Sequence, residues 1–201
     1  MRIQRNHQTP RLERRTKAAF TLAAEGPAFN GRVCGDMCTK TCAACGSTRC
    51  QCLCSPACTD APYALSSDPD AYPIEPGITG LVYAMTRSGL FETCWSCEGH
   101  PHLDGSAWKV PTVWFYCNAV EHARLLADGI ARLSLDGVLK ASWQVTITYS
   151  DPDNPRTTFS LAPVLVRDEP GALGQLQRDI AQIALALPQM LVEAGKALLR
   201  A

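Results

Sequence analysis

The sequence predicts an α+β fold, a small antiparallel sheet covered by helices, preceded by a cysteine-rich metal-binding module with little regular structure. Three observations predict it. Residues 142–149 alternate, with Trp143, Val145, Ile147 and Tyr149 on one face and Ser142, Gln144, Thr146 and Thr148 on the other. That is the two-residue period of a half-buried strand. Leu173, Leu176, Ile180, Ile183, Leu187, Met190, Ala194 and Leu198 step by threes and fours, as one stripe of a long helix does. Eight of the 11 cysteines crowd into residues 34–58, where almost no apolar side chains accompany them.

The elements follow in chain order. Ile78, Leu81, Val82 and Met85 lie at helical spacing, and Gly89 supplies the stop. Phe91 to Glu98 and Pro111 to Cys117 read as strands, joined through a turn at Asp104-Gly105. Asn118 followed by Glu121 has the pattern of an N-cap and capping box, opening a helix through about Leu133. After the strand at 142–149, a turn at Asp151 to Pro155 leads to a partner strand around Phe159 and Leu161. The helices are expected on one face of this sheet. The closing helix, 172–200, would be about 43 Å long at 1.5 Å per residue. Its stripe approaches a coiled-coil seam and so predicts either a cap over the sheet or a homodimer through this helix, with a kink at Pro188.

Four segments result: a basic, disordered arm (1–33), the cysteine module (34–58), a proline-rich linker (59–77) and the α+β domain (78–201). The zero net charge of the whole chain conceals this division. Residues 1–58 carry nine Lys/Arg against three Asp/Glu, whereas 59–201 carry ten against sixteen. Arg2, Arg5, Arg11, Arg14, Arg15 and Lys17 fill the arm, which suits an acidic protein surface or a nucleic-acid phosphate as partner. The apolar run Ala18 to Ala24 is too short for a convincing secretory signal, and no run reaches the roughly 18 residues of a membrane span. A cytoplasmic protein is expected, without membrane attachment.

A reducing compartment turns dense cysteine usage toward metal binding. Cys34, Cys38, Cys42, Cys45, Cys50, Cys52, Cys54 and Cys58 have only Val33, Met37 and Leu53 as sizeable aliphatic neighbours. With no core to order it, such a segment needs crosslinks. Eight thiolates match two closed tetrahedral Zn2+ sites. All-cysteine ligation equally suits an iron–sulfur cluster, and thiols along one helical face suit Cu+. Cys38-x3-Cys42-x2-Cys45 resembles the cluster-binding spacing of radical-SAM enzymes, although the chain is short for their barrel.

A second cluster lies in the domain itself: Cys94, Cys97, His100 and His102 within nine residues. A CxxC turn converges two sulfurs on one ion, and either histidine adds a third corner; Cys117 or His122 is available for a fourth. Were the centre catalytic, Glu98 is the candidate general base, with Asp104 behind it. A zinc-deaminase pattern is absent, because no His/Cys-x-Glu precedes a Pro-Cys-x-x-Cys. Ser96-Cys97-Glu98-Gly99-His100 resembles the Ser-Cys-x-Gly loop of wybutosine-pathway methyltransferases over five residues; nothing else in the chain shares that pattern, and the activity is not carried over. Trp95, Trp108, Trp114, Trp143, Phe115 and Tyr116 gather around the same region, as core or as a stacking surface. P-loop, GxGxxG, HExxH and GxSxG motifs are missing. The function expected is therefore a zinc-binding interaction protein, with a metalloenzyme centred on 94–102 and a metal carrier, sensor or iron–sulfur protein using the module as alternatives.

Overall fold

The computed structural model describes residues 10–26, 65–68, 70–149, 153, 156–164 and 171–200. The cysteine module at 34–58, with its eight candidate ligands, lies outside the described residues. Those described form an α+β structure with four helices and a small antiparallel sheet. In chain order the elements are α1 (Pro10–Glu25), α2 (Pro76–Arg87), β1 (Phe91–Cys97), β2 (His100–Pro101), β3 (Ala107–Lys109), β4 (Thr112–Cys117), α3 (Val120–Leu135), β5 (Trp143–Thr148), β6 (Thr158–Pro163) and α4 (Ala172–Arg200).

The four-stranded sheet runs β1-β4-β6-β5 with every neighbour antiparallel, and β2 and β3 make a separate small ladder between β1 and β4. Register aligns Val113 with Leu161 and Phe115 with Phe159 on the face that meets the helices. Phe91 packs edge-on against Phe115 at 5.2 Å, and Phe115 stacks with Phe159 at 5.7 Å. Into this aromatic row press Ile78, Leu81 and Met85 of α2, Leu125, Leu126 and Ile130 of α3, and Leu176, Ile180, Ile183 and Leu187 of α4, in one continuous core. Each such side chain, taken fully out of water, contributes about 1.5–3 kcal/mol. Helix α4 is the common partner, touching α1, α2 and α3.

One carboxylate ties α4 to the sheet. Asp179, 1% exposed, accepts hydrogen bonds from the Lys140 and Ala141 N–H groups, the Trp143 indole and the Gln175 amide. A buried charge is tolerated when its lone pairs are filled in this way.

The structure departs from the sequence reading in four places. Residues 10–25 of the supposed disordered arm are helical: Ala19, Phe20 and Ala23 of α1 are buried against α4 and α3. Close approach explains it, because a Cβ on Gly195 of α4 would lie 2.8 Å from the Ala24 nitrogen and 2.9 Å from the Phe20 carbonyl oxygen. The described end of the linker is docked rather than free, with Leu65 and Ile74 packed on the core and Pro76 already in the first turn of α2. Ala119, not Asn118, is the N-cap of α3, without a side-chain cap. Glu121 then falls at the second helical position rather than the third, and its Oε1 accepts the Thr16 hydroxyl of α1. Helix α4 takes the first of its two expected places, its leucine stripe buried within the chain, and it runs through Pro188 as one helix of 29 residues. Finally, the apolar face of β5 outruns its cover: Trp143 is buried, but Ile147, on the sheet edge, is 74% exposed.

Two outcomes follow for stability. Asp179→Ala leaves buried donors unpaired and lowers unfolding free energy by about 3 kcal/mol in chemical denaturation, with Asp179→Asn milder. His122, on α3 beneath α1, donates to the Ala19 carbonyl through Nε2 at 3.2 Å while its buried Nδ1 has no partner among the described residues. Burial holds its pKa below the ordinary histidine value. Above the unfolded value near 6.5 the ring is neutral in both states; as pH falls below it, the unfolded chain takes up a proton that the folded chain resists. Stability therefore declines on acidification from pH 7 toward 5.5, and denaturation midpoints of His122→Asn decline less steeply.

Candidate metal centre

The N-terminus of α2 and the end of β1 clasp each other through two carboxylates. Glu75, the N-cap residue, accepts the Glu98 N–H at 2.7 Å through one oxygen and meets His100 Nε2 at 3.0 Å through the other. Glu98 returns the interaction, accepting the Gly77 N–H at 2.5 Å. Backbone N–H groups in the first turn of a helix lack internal partners, and the positive end of the helix dipole favours negative charge there. The Glu98 carboxylate is thus placed by the first turn of α2, and the Glu75 carboxylate, which makes no bond to that turn, by the Glu98 N–H and His100.

Between Cys97 and His100 the chain turns sharply at Gly99, whose φ is +85°. A side chain there is excluded twice: by the left-handed backbone, and by Leu173, Pro111 and the Lys109 carbonyl, each under 3.0 Å from a would-be Cβ. The Gly99 N–H reaches back to the Cys97 sulfur at 3.4 Å. Burial pushes the Cys97 thiol pKa up, and this N–H bond partly counters it.

The turn brings three donor types together. Ligand atoms of Glu75, Cys97 and His100 all lie within 4.8 Å of one another. A tetrahedral zinc with bonds of about 2.0–2.3 Å spaces its donors roughly 3.3–3.8 Å apart, so a small inward adjustment suffices. Cys97 forms the floor at 2% exposure, while the Glu75 and His100 side chains, about one-third exposed, form the rim. Trp108 stacks on His100 with centroids 6.1 Å apart, and the Lys109 ammonium sits 4.9 Å over the Trp95 ring.

Of the candidates read from sequence that lie among the described residues, the structure joins Cys97 and His100 and separates Cys94, His102, Cys117 and His122 from them. Cys94 and Cys97 do not share a chelating turn. Their segment is strand β1, where three residues span about 10 Å. Cys94 falls at an irregularity in the β1–β4 register and bonds to Tyr116 instead. His102 lies beyond β2 in the turn to β3 and is exposed. Cys117 bonds to backbone N–H groups at the start of α3, and His122 is committed to Ala19. Glu98 caps α2, which turns its carboxylate away from a general-base role. Asp104 is held by the Ser106 hydroxyl and N–H, which lower its pKa.

Glu75 is the candidate ligand the motif reading missed, hidden in an apparent linker. An acidic residue immediately before a proline, just ahead of an apolar helical repeat, was its signal. No protein-family model, curated protein or solved structure matches this chain.

Gly99→Ala tests the turn. It is expected to destabilise the fold by about 2 kcal/mol through backbone strain and collision, and to lower affinity for zinc, as read by thermal melts with and without the metal.

Proposed function

We propose that this is a zinc-binding protein whose domain centre, Glu75, Cys97 and His100, holds one ion and keeps a coordination position open to a further ligand. The observation that carries the reading is the convergence of one carboxylate, one thiol and one imidazole within 4.8 Å, with two of the three on an exposed rim. Closed structural sites use four protein ligands, whereas three ligands with an accessible fourth position belong to zinc centres that do chemistry or exchange ligands. Of the functions expected from sequence, this favours a metal site at residues 94–102 that works on a bound molecule. The donor mixture supports zinc over the alternatives, since Cu+ favours sulfur alone and iron–sulfur clusters ask for more thiolates.

A second reading, interaction through the N-terminal region, draws on α1, where Arg11, Arg14, Arg15 and Lys17 are all exposed on a helix anchored by its other face. An acidic protein or nucleic-acid partner would meet that face. The wealth of cysteines agrees with a cytoplasmic setting; no described helix is long and apolar enough to cross a membrane.

Elemental analysis of the full chain tests the centre against any zinc held elsewhere. Cys97→Ser with His100→Ala is expected to carry one zinc fewer per chain than the parent. Cys94→Ser with His102→Ala is expected to carry as many as the parent. Equal zinc in all three proteins overturns the proposal.

A further inference from the structure

Resting on the zinc reading above, we infer that the open position takes a small oxyanion, a carboxylate or phosphate, with Lys109 as its counter-charge. Three features of the site argue for it.

The first is the charge left over once the metal is bound. A divalent ion with the Glu75 carboxylate and the Cys97 thiolate sums to zero, and the imidazole adds nothing. Lys109 then contributes a positive charge beside the centre. Its ammonium is near enough to Cys97 to act on the thiol, and it lies over the Trp95 ring. Among the described residues it makes no salt bridge with a carboxylate. Glu98, which follows Cys97 in the chain, directs its charge into the first turn of α2, where the Gly77 N–H meets it.

The second is position. Lys109 on β3 is paired directly with His100 on β2, so the cation and a ligand to the metal are held across one small ladder. An anion bridging zinc and ammonium therefore needs no movement of the backbone. Charge-assisted contacts of this kind are about twice as strong as neutral hydrogen bonds, and a partly shielded setting strengthens them further.

The third is the wall. Trp108 covers one side of His100 yet remains 59% exposed, and Trp95 is 38% exposed under Lys109. Indole rings flanking the rim lower the local dielectric and favour an ion pair over separate hydration of its members.

The test uses the full chain loaded with Co2+ in place of zinc, its visible spectrum corrected by subtracting that of the Cys97→Ser, His100→Ala chain. The difference spectrum isolates this centre from cobalt bound by other cysteines. Titration with acetate, and separately with inorganic phosphate, is expected to shift it with saturation; whichever binds more tightly names the source of the oxyanion. Lys109→Gln is expected to weaken the response at least tenfold while the cobalt content stays the same, and Lys109→Arg is expected to restore most of it. A normal difference spectrum that neither anion alters, or equal affinity in Lys109→Gln, overturns the oxyanion inference and leaves the metal centre standing. Absence of the difference spectrum overturns both.

Discussion

A helix begins with backbone N–H groups that no residue of its own can satisfy, and the centre depends on how α2 meets that need. Glu98, just past the neighbouring strand, accepts an N–H of the first turn of α2, and Glu75, the residue before that turn, accepts the Glu98 N–H, so each carboxylate holds the backbone of the segment that carries the other. That exchange locks the end of β1 against α2. Only with the two segments locked does the second oxygen of Glu75 stand at His100, and only then does the left-handed turn at Gly99 aim Cys97 and His100 at one point. The donor set is a by-product of helix capping, which brings Glu75 to the end of β1, and of a tight turn from Cys97 to His100.

The frame around this clasp is rigid for a separate reason. Helix α4 lies across the other three helices and is fixed to the loop before β5 by Asp179. Leu173, near the start of α4, also closes off the space beside Gly99, so the longest described helix limits where the turn from Cys97 to His100 can go. Packing and polar anchoring thus converge on the same few residues. The small β2–β3 ladder stands outside this frame and carries the exposed Trp108 with Lys109, which explains how a well-buried sulfur comes to lie beside an accessible rim.

How much of this was legible in advance varies with the range of the interaction. Periodicity within one segment located α2, the strands from Phe91 and toward Cys117, the β5–β6 pair and the whole of α4, because each is a short-range consequence of where apolar side chains recur. The CxxC spacing misled, since it presupposes a turn, and a β-branched or aromatic setting such as Thr93 and Trp95 favours extended chain. Cys94 and Cys97 were thereby parted. The arm was read as disordered from its charge, yet three small or aromatic residues, Ala19, Phe20 and Ala23, are enough when Gly195 lets two helices meet at backbone distance.

Composition and local pattern by themselves determined the α+β class, the order of α2, α3, α4 and the four strands of the main sheet, and the presence of thiol and imidazole groups around residues 94–102. Tertiary structure alone decided which donors meet, that Glu75 joins them from more than 20 residues upstream, and that the stripe on α4 is spent inside the chain. The physical reason is one of range: turns, caps and amphipathic faces are written in neighbouring side chains, whereas a metal-binding geometry depends on where separate elements come to rest, and that is settled by packing the whole core at once.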